Sequence, residues 1–318
     1  MHLPFRVGDF VDYSVFPAHG IGAGRAIFGP DTKLPPSFAA MPMAYNGRAG
    51  TVTINEEITR PQGQLRAFSA EREVTVGECK ALDWEFEIGV FVSTPSEVDT
   101  YLTPDQAQNH VFGYVILNDW SARDVQAFEM VPLGPFNGKS FATTITPWVV
   151  TAEALSEFAA PLPERMTDMP FQQPEYLATA ADAKPNFHVN CETRLHLASN
   201  PSAGHVISRA TFADAYWSFP QLIAHQTYNG SPVFTGDLLG SGTISNWTDD
   251  SKGCMLELSV GGKQPLLVGP NQEQRRWIED GDEVVMSAWA GGEGQQKVGF
   301  GELRGKIRPA KVLRRAQE

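Results

Sequence analysis

The sequence predicts a mixed, β-rich α+β fold. Three observations carry that expectation. Glycine and proline are abundant, 29 and 23 of 318 residues, which calls for many turns and so for many short elements. Most apolar segments are short, alternating or β-branched and aromatic, as in TVTINEEITR and VFGYVILND, the pattern of strands rather than helices. The last third of the chain breaks into VFTGDLLGSGTISNW, CMLELSVGG, QPLLVG, GDEVVMSAWA and KVGFGELRGKIRPA, short segments between Gly-rich turns that read as all β.

Taken in order, VGDFVDYSVF reads as a strand containing Asp12, and AHGIGAG after it as a turn or loop holding His19. PDTKLPPSFAAMPMAYNGRAG is a Pro-rich loop closing in a tight turn at Asn46-Gly47. Residues 51–60 alternate and form one strand. Ala81 to Val92, ALDWEFEIGVFV, form a strand on which Glu85 and Glu87, two apart, share a face. TPDQAQNH starts a helix, with Thr103 as its cap and Pro104 at the first position. VFGYVILND is a buried strand ending at Asp119, and SARDVQAFEM a short helix. VPLGPFNGKSFATTITPWVV is turn-rich with one embedded lysine, Lys139. Residues 152–186 form a long irregular excursion, and NFHVNCETRLHLASN a strand pair or ribbon. TFADAYWSFPQLIAHQTYNG is the clearest amphipathic helix, apolar at Phe212, Tyr216, Phe219, Leu222 and Ile223 and kinked or broken at Pro220. No repeat or convincing linker interrupts the chain, so residues 1–318 are expected to form one domain.

Composition narrows the partners. Hydrophobic residues make up 42% and charged ones 19%, enough for a sizeable core. A net charge of −12 and a pI near 5.1 argue against nucleic acid. No run approaches the length of a membrane span. Cys79, Cys191 and Cys254 are scattered and form no CxxC, which points to neither zinc nor disulfides but to a reducing compartment. With no signal-peptide pattern at the start, the reading is a soluble, cytoplasmic protein.

Asp12, Glu85, Glu87 and Asp119 stand in or at the ends of apolar strands. Such a set either lines a solvated face or holds a hard divalent cation, Mg²⁺, Ca²⁺ or Mn²⁺. No HExxH and no GxSxG is present, and the GDLLGSG stretch lacks the lysine of a phosphate loop. His19, alone beside a Gly-rich turn, reads more readily as a surface or capping residue than as a catalyst.

DWEFE, NDWSARD, PLGPFNGKSF, SGTIS and MLEL together resemble the fumarylacetoacetase (fumarylacetoacetate hydrolase) family, from MHLP at the start to VGFGELRGKI. NDWSARD followed closely by VPLGPFNGKSF is the most specific of these signals. The resemblance implies a β-roll with peripheral helices, usually a homodimer, that hydrolyses a carbon–carbon bond in a 1,3-diketone. It implies one Mg²⁺ or Ca²⁺ on Asp12, Glu85, Glu87 and Asp119. It further implies water activated by His19 with Glu257 orienting it, and an oxyanion met by Arg123, Gln126 and Lys139. The departing carbanion would be held as an enolate at the metal. Tyr45 and Thr243 match residues near the bound substrate. Three positions depart from the family pattern, which has tyrosine at Ser14, arginine at Phe28 and tyrosine at Met130; a histidine is also replaced by Asn46. The expected substrate is therefore a small diketo acid less anionic at one end. The chain matches the family's catalytic domain, without the small N-terminal SH3-like domain. A second reading keeps the metal and the enolate but drops hydrolysis, for decarboxylation, isomerisation or cyclisation of an oxo-acid. A third is a degenerate, purely binding relative, disfavoured by the matching residues.

Overall fold

The computed structural model describes residues 1–66, 74–292, 294 and 296–313. In chain order its principal strands are β1 (Phe10–Ser14), β2 (Met43–Asn46), β3 (Val52–Thr53), β4 (Glu57–Thr59), β5 (Phe86–Val92), β6 (Val111–Asp119), β7 (Thr143–Ile145), β8 (Val189–His196), β9 (Gly204–Thr211), β10 (Leu238–Gly240), β11 (Glu283–Ala290) and β12 (Val298–Arg308). The principal helices are α1 (Pro17–Phe28), α2 (Pro104–Ala107), α3 (Arg123–Glu129), α4 (Phe219–Thr227) and α5 (Met255–Leu258). One sheet runs β2-β1-β10-β5-β6-β7-β3, with Val150–Thr151 also pairing β6; the other runs β9-β8-β11-β12-β4. The expected β-rich α+β class holds.

The alternation of the central strands explains where the site forms. Ile88 and Val90 on β5, Tyr114 and Ile116 on β6, and Val11 and Tyr13 on β1 enter the larger core. Phe91, Val115, Leu117, Phe10 and Leu238 point the other way and form a smaller one. Because side chains repeat every second residue, the smaller core continues towards one end as Asp12, Glu87 and Asp119. Gly240 lies between β1 and β5, paired with Asp12 on one side and Gly89 on the other. A Cβ there would come within 2.6 Å of Glu87 Oε2 and 3.3 Å of Asp12 Oδ1, so glycine leaves room for both acids.

Three expectations need correction. AHGIGAG is not a loop: it is the body of α1, begun by Pro17 in the first turn. Its glycines cost helix propensity, about 1 kcal/mol each against alanine, but permit close packing. A Cβ at Gly20 would come within 2.8 Å of Leu34 Cδ2, and Cβ atoms at Gly22 and Gly24 would overlap Glu257 Oε1 and Thr32 Cγ2. Residues 51–60 are not one strand but two, β3 and β4, in different sheets. MLEL is not a strand but the short helix α5, whose first N–H groups are taken by Asp83. The 211–230 stretch breaks into two pieces, one of the two forms expected of it, with the break lying before Pro220. A 3₁₀ turn covers Phe212–Asp214, and α4 begins after Ser218, whose N–H donates to Gln221 Oε1 at 3.1 Å. Pro220 therefore sits in the first turn, where its missing N–H leaves no helical bond unmade. The Thr103 cap and Pro104 start of α2 are as expected, with Gln106 completing a capping box.

Candidate active site

Asp12 lies mid-strand on β1, Glu87 near the start of β5 and Asp119 at the end of β6; all three are buried. One oxygen of each lies within 4.8 Å of the others, close enough to share one ion. Glu85, just before β5, lies beside this trio and is held by cations. Lys139 Nζ reaches Glu85 Oε2 at 2.5 Å and Asp119 Oδ2 at 2.6 Å, and Arg123 Nη1 reaches Glu85 Oε1 at 2.8 Å. The loop after α3 delivers the lysine. Glu129 accepts the N–H groups of Phe136, Asn137 and Gly138 at 2.6–2.9 Å, folding the loop back so that Lys139 enters the sheet.

Two residues not singled out from the sequence, Arg48 and Asp83, complete the cluster. Arg48 donates through Nη1 to Asp119 Oδ1 at 2.5 Å and through Nη2 to Asp12 Oδ2 at 3.0 Å. Tyr45 donates its hydroxyl to the same Asp12 oxygen at 2.7 Å. Asp83 is fully buried; its oxygens accept Arg123 Nε at 2.8 Å and the N–H groups of Trp84, Met255 and Leu256. It thereby ties Arg123 to the helix that carries Glu257. Nothing in the sequence marked Arg48 beyond an isolated basic residue after Asn46-Gly47, nor Asp83 beyond an acid at the edge of ALDWEFE.

The charges do not balance. Five carboxylates (Asp12, Asp83, Glu85, Glu87, Asp119) face three fixed cations (Arg48, Arg123, Lys139), leaving two negative charges uncompensated. The excess falls on Asp12 and Glu87. Burial, then Asp119, pushes the Asp12 carboxyl up to about 7; burial, then Asp12 and Asp119, lifts that of Glu87 well above the usual range. Burial works against ionisation of Asp119 too, but Arg48 and Lys139 outweigh it and hold that carboxyl below the usual range. Unsatisfied atoms tell the same story. Asp12 Oδ1 and Glu87 Oε1 are buried without a hydrogen-bond partner, although buried polar atoms are nearly always paired. Two orphaned carboxylate oxygens, an all-oxygen donor set and a residual charge of two suit one hard divalent cation.

A second arm stands beside the first. His19 on α1 brings Nδ1 to 2.7 Å from Glu257 Oε2. A carboxylate only accepts, so Nδ1 carries the proton and Nε2 keeps a free lone pair. Ser245 Oγ, 2.6 Å away, and Cys254 Sγ, 3.2 Å away, donate to the same carboxylate oxygen, and Ser245 in turn accepts Gly253 N–H at 2.9 Å. Buried donors also lack partners: Arg123 Nη2 and Thr243 Oγ1. Gln126 turns its Oε1 to Arg123 Nη1 at 3.0 Å. The unpaired carboxylate oxygens can take a cation, the unpaired guanidinium N–H can meet a developing oxyanion, and the oriented imidazole can activate water.

Of the expected substrate contacts, Tyr45 belongs to this centre, and Thr243 is buried with its hydroxyl unpaired. Ser14 ends β1 and is half-buried. Phe28 and Met130 lie at the outer ends of α1 and α3, 74% and 37% exposed. Among the described residues no helix is long and apolar enough to cross a membrane.

The family model described as fumarylacetoacetate (FAA) hydrolase C-terminal matches residues 20–308. A fumarylacetoacetase from Emericella nidulans is 41% identical over 314 residues, covering 97% of this chain and 70% of that protein. The Homo sapiens fumarylacetoacetase is 38% identical over 312 residues, covering 98% of this chain and 72% of that one. The crystal structure of a 5-carboxymethyl-2-hydroxymuconate delta-isomerase from Mycobacterium smegmatis shares the fold, with a TM-score of 0.52 at 16% identity over 98% of this chain and 83% of that one.

Proposed function

This chain belongs to the fumarylacetoacetate hydrolase family, and from that premise we propose that it hydrolyses a carbon–carbon bond of a fumarylacetoacetate-like 1,3-diketo acid at the buried carboxylate centre. The observation that carries the reading is the set of orphaned buried atoms: Asp12 Oδ1 and Glu87 Oε1 await a cation, and Arg123 Nη2 awaits an anionic oxygen.

Asp12, Glu87 and Asp119 would hold one Mg²⁺ or Ca²⁺, with Glu85 closing the set. When bound, that ion supplies Lewis acidity to the paired carbonyl oxygens of the substrate. His19 removes a proton from water at Nε2, and the positive charge it gains is stabilised by Glu257 across the 2.7 Å contact. Ser245 and Cys254 fix Glu257 in the orientation that keeps Nδ1 protonated. Arg123 Nη2 donates to the oxygen that becomes negative as hydroxide adds, with Gln126 and Lys139 beside it. One such donor is worth roughly 3 kcal/mol in the transition state. The carbon–carbon bond then breaks, the attacked carbonyl becomes a carboxylic acid, and the departing carbanion takes up the proton that His19 removed from water.

Ser14, Phe28 and Met130 are assigned to the end of the substrate away from the reacting carbon. Their size and polarity favour a group less anionic than a fumaryl carboxylate, because losing an arginine removes a charge-assisted and often bidentate contact. The exposed apolar side chains near Met130 suit pairing of two copies as a homodimer.

The test is turnover in ¹⁸O-labelled water with Mg²⁺ or Ca²⁺. Fumarylacetoacetate and a 1,3-diketone lacking the fumaryl carboxylate are compared. Hydrolysis places label in a product carboxylate. Conversion of substrate without label in either product excludes the hydrolytic reading. A kcat/KM for fumarylacetoacetate exceeding that for the less anionic diketone rules out the altered pocket while leaving hydrolysis intact.

A further inference from the structure

We propose that Arg48 is a built-in cation of the carboxylate centre, standing where further metal charge would otherwise be needed, and that it thereby sets the centre to a single divalent ion and discriminates against trivalent ones. The inference rests on the metal-centre reading above and adds a selectivity determinant to it.

The backbone is the first indication. Arg48 has φ 71° and ψ 8°, the left-handed region, directly after Gly47 at φ 114°. A non-glycine residue is uncommon there, and strain of this kind persists when its surroundings over-determine it. The surroundings here are the metal-binding acids themselves. The two Nη atoms of one guanidinium reach Asp119 Oδ1 and Asp12 Oδ2, bridging carboxylates from two different strands. The planar group lies over the rings of Phe10 and Tyr45, 4.8 and 5.0 Å from their centres, so its position is fixed by packing as well as charge. Its side chain is 4% exposed, so water screens it little.

The arrangement of free oxygens is the second. Arg48 takes one oxygen from Asp12 and one from Asp119. Asp12 Oδ1 and Glu87 Oε1 remain without partners. Lys139 and Arg123 neutralise the Glu85 side, and Asp83 is spent on Arg123 and α5. What remains is a residual charge of two at one place. Without Arg48 it would be three, and Asp119 Oδ1 would keep only the Thr143 hydroxyl, at 3.3 Å. A fixed unit charge a few ångströms from the oxygens that would hold the ion penalises a trivalent cation more than a divalent one by one further unit of repulsion. At that separation and an intermediate dielectric, the difference is about tenfold or more in relative affinity.

The experiment is calorimetric titration of the full chain with Ca²⁺ and separately with La³⁺, at one pH and ionic strength, for the unaltered protein, Arg48→Leu and Arg48→Lys. The quantity compared is the ratio of the Ca²⁺ Kd to the La³⁺ Kd. Arg48→Leu should raise it about tenfold or more, whereas Arg48→Lys, which keeps the charge and loses the fork, should leave it close to that of the unaltered protein. If Arg48→Leu does not fold, Arg48→Gln drops the charge and keeps hydrogen-bond donors, and carries the same comparison. A ratio that is the same with and without the charge overturns the inference and leaves the metal centre standing. Failure of the unaltered protein to bind either ion overturns both.

Discussion

Lys139 and Leu133 sit in one loop after α3, and their surroundings could hardly differ more. Lys139 is 2% exposed and held by two carboxylates; Leu133 is 94% exposed. Around the lysine, each cation contacts two acids, and each of those acids serves a second partner. Around the leucine, Val131 and Phe136 are 81% and 67% exposed, and across the surface Phe28 is 74% exposed. A change at the centre strands a buried charge, which typically costs 3–5 kcal/mol, so its residue types are tied to one another. A change on the rim has little packing to disturb and alters chiefly what the rim touches. On this contrast the proposed departures at Phe28 and Met130 fall where substitution disturbs least, and the proposed reacting centre where it disturbs most.

The largest effect is expected from Glu87→Gln. Glu87 Oε2 accepts Gly242 N–H at 3.0 Å and Oε1 is free, so the amide fits while the charge is lost. Titration with Mg²⁺ or Ca²⁺ should show binding abolished, and turnover should fall about a thousandfold or more, the worth of several kcal/mol of electrophilic assistance. Retained metal affinity would separate the reacting centre from these acids. His19→Ala should follow, with kcat lower by roughly 10²–10⁴-fold and metal affinity unchanged. A parallel loss of metal binding would mean that the two arms are one structural unit rather than two functional ones.

Gly22→Ala gives an intermediate effect and a sharper distinction. The added Cβ overlaps Glu257 Oε1, so the carboxylate must shift, and with it the imidazole it orients. Alanine is also the better helix former by about 1 kcal/mol, which offsets part of the crowding. The expected outcome is kcat reduced by about tenfold to a hundredfold, as for a catalytic group moved by about 1 Å, with KM and the thermal midpoint nearly unchanged. A variant that loses stability in proportion to activity would show that the glycine serves packing alone.

That glycine also marks how far the sequence could be read. Asp12, Glu87 and Asp119 were legible as acids in apolar strands because of period-two alternation, which left a solvated face as open as a cation site; the expected roles of these and the other site residues came from the family resemblance. The helical nature of AHGIGAG was not legible. Three glycines in seven residues say turn by propensity, and what overrides them is contact with Glu257, Thr32 and Leu34, the first of which is more than 200 residues away in sequence. MLEL failed for a related reason: α5 is only Met255–Leu258 and is held by Asp83, 172 residues from Met255. Arg48 was missed because its role lies in a tertiary bridge between two strands, which no local pattern encodes. Local pattern served where a residue's partners were its strand neighbours, and ran out where the partner came from elsewhere in the chain.

The smallest expected effect tests the rim. Phe28→Arg combined with Met130→Tyr introduces, at two exposed positions, the residue types that the resemblance leads one to expect there. Because neither side chain is buried in the core, the thermal midpoint should change little; surface substitutions usually lie within about 0.5 kcal/mol. The new guanidinium and hydroxyl would add contacts to a substrate carboxylate, and charge-assisted hydrogen bonds contribute about 1.5–3 kcal/mol at best. Solvent exposure lowers that, so kcat/KM for fumarylacetoacetate should rise by about tenfold, mainly through KM, while the less anionic diketone is unaffected. An equal gain for both substrates would place the two residues in general access to the site rather than in recognition of the carboxylate. No gain for either would leave the exposed ends of α1 and α3 outside the substrate's reach, and would move the search for the specificity determinant inward to Ser14 at the end of β1.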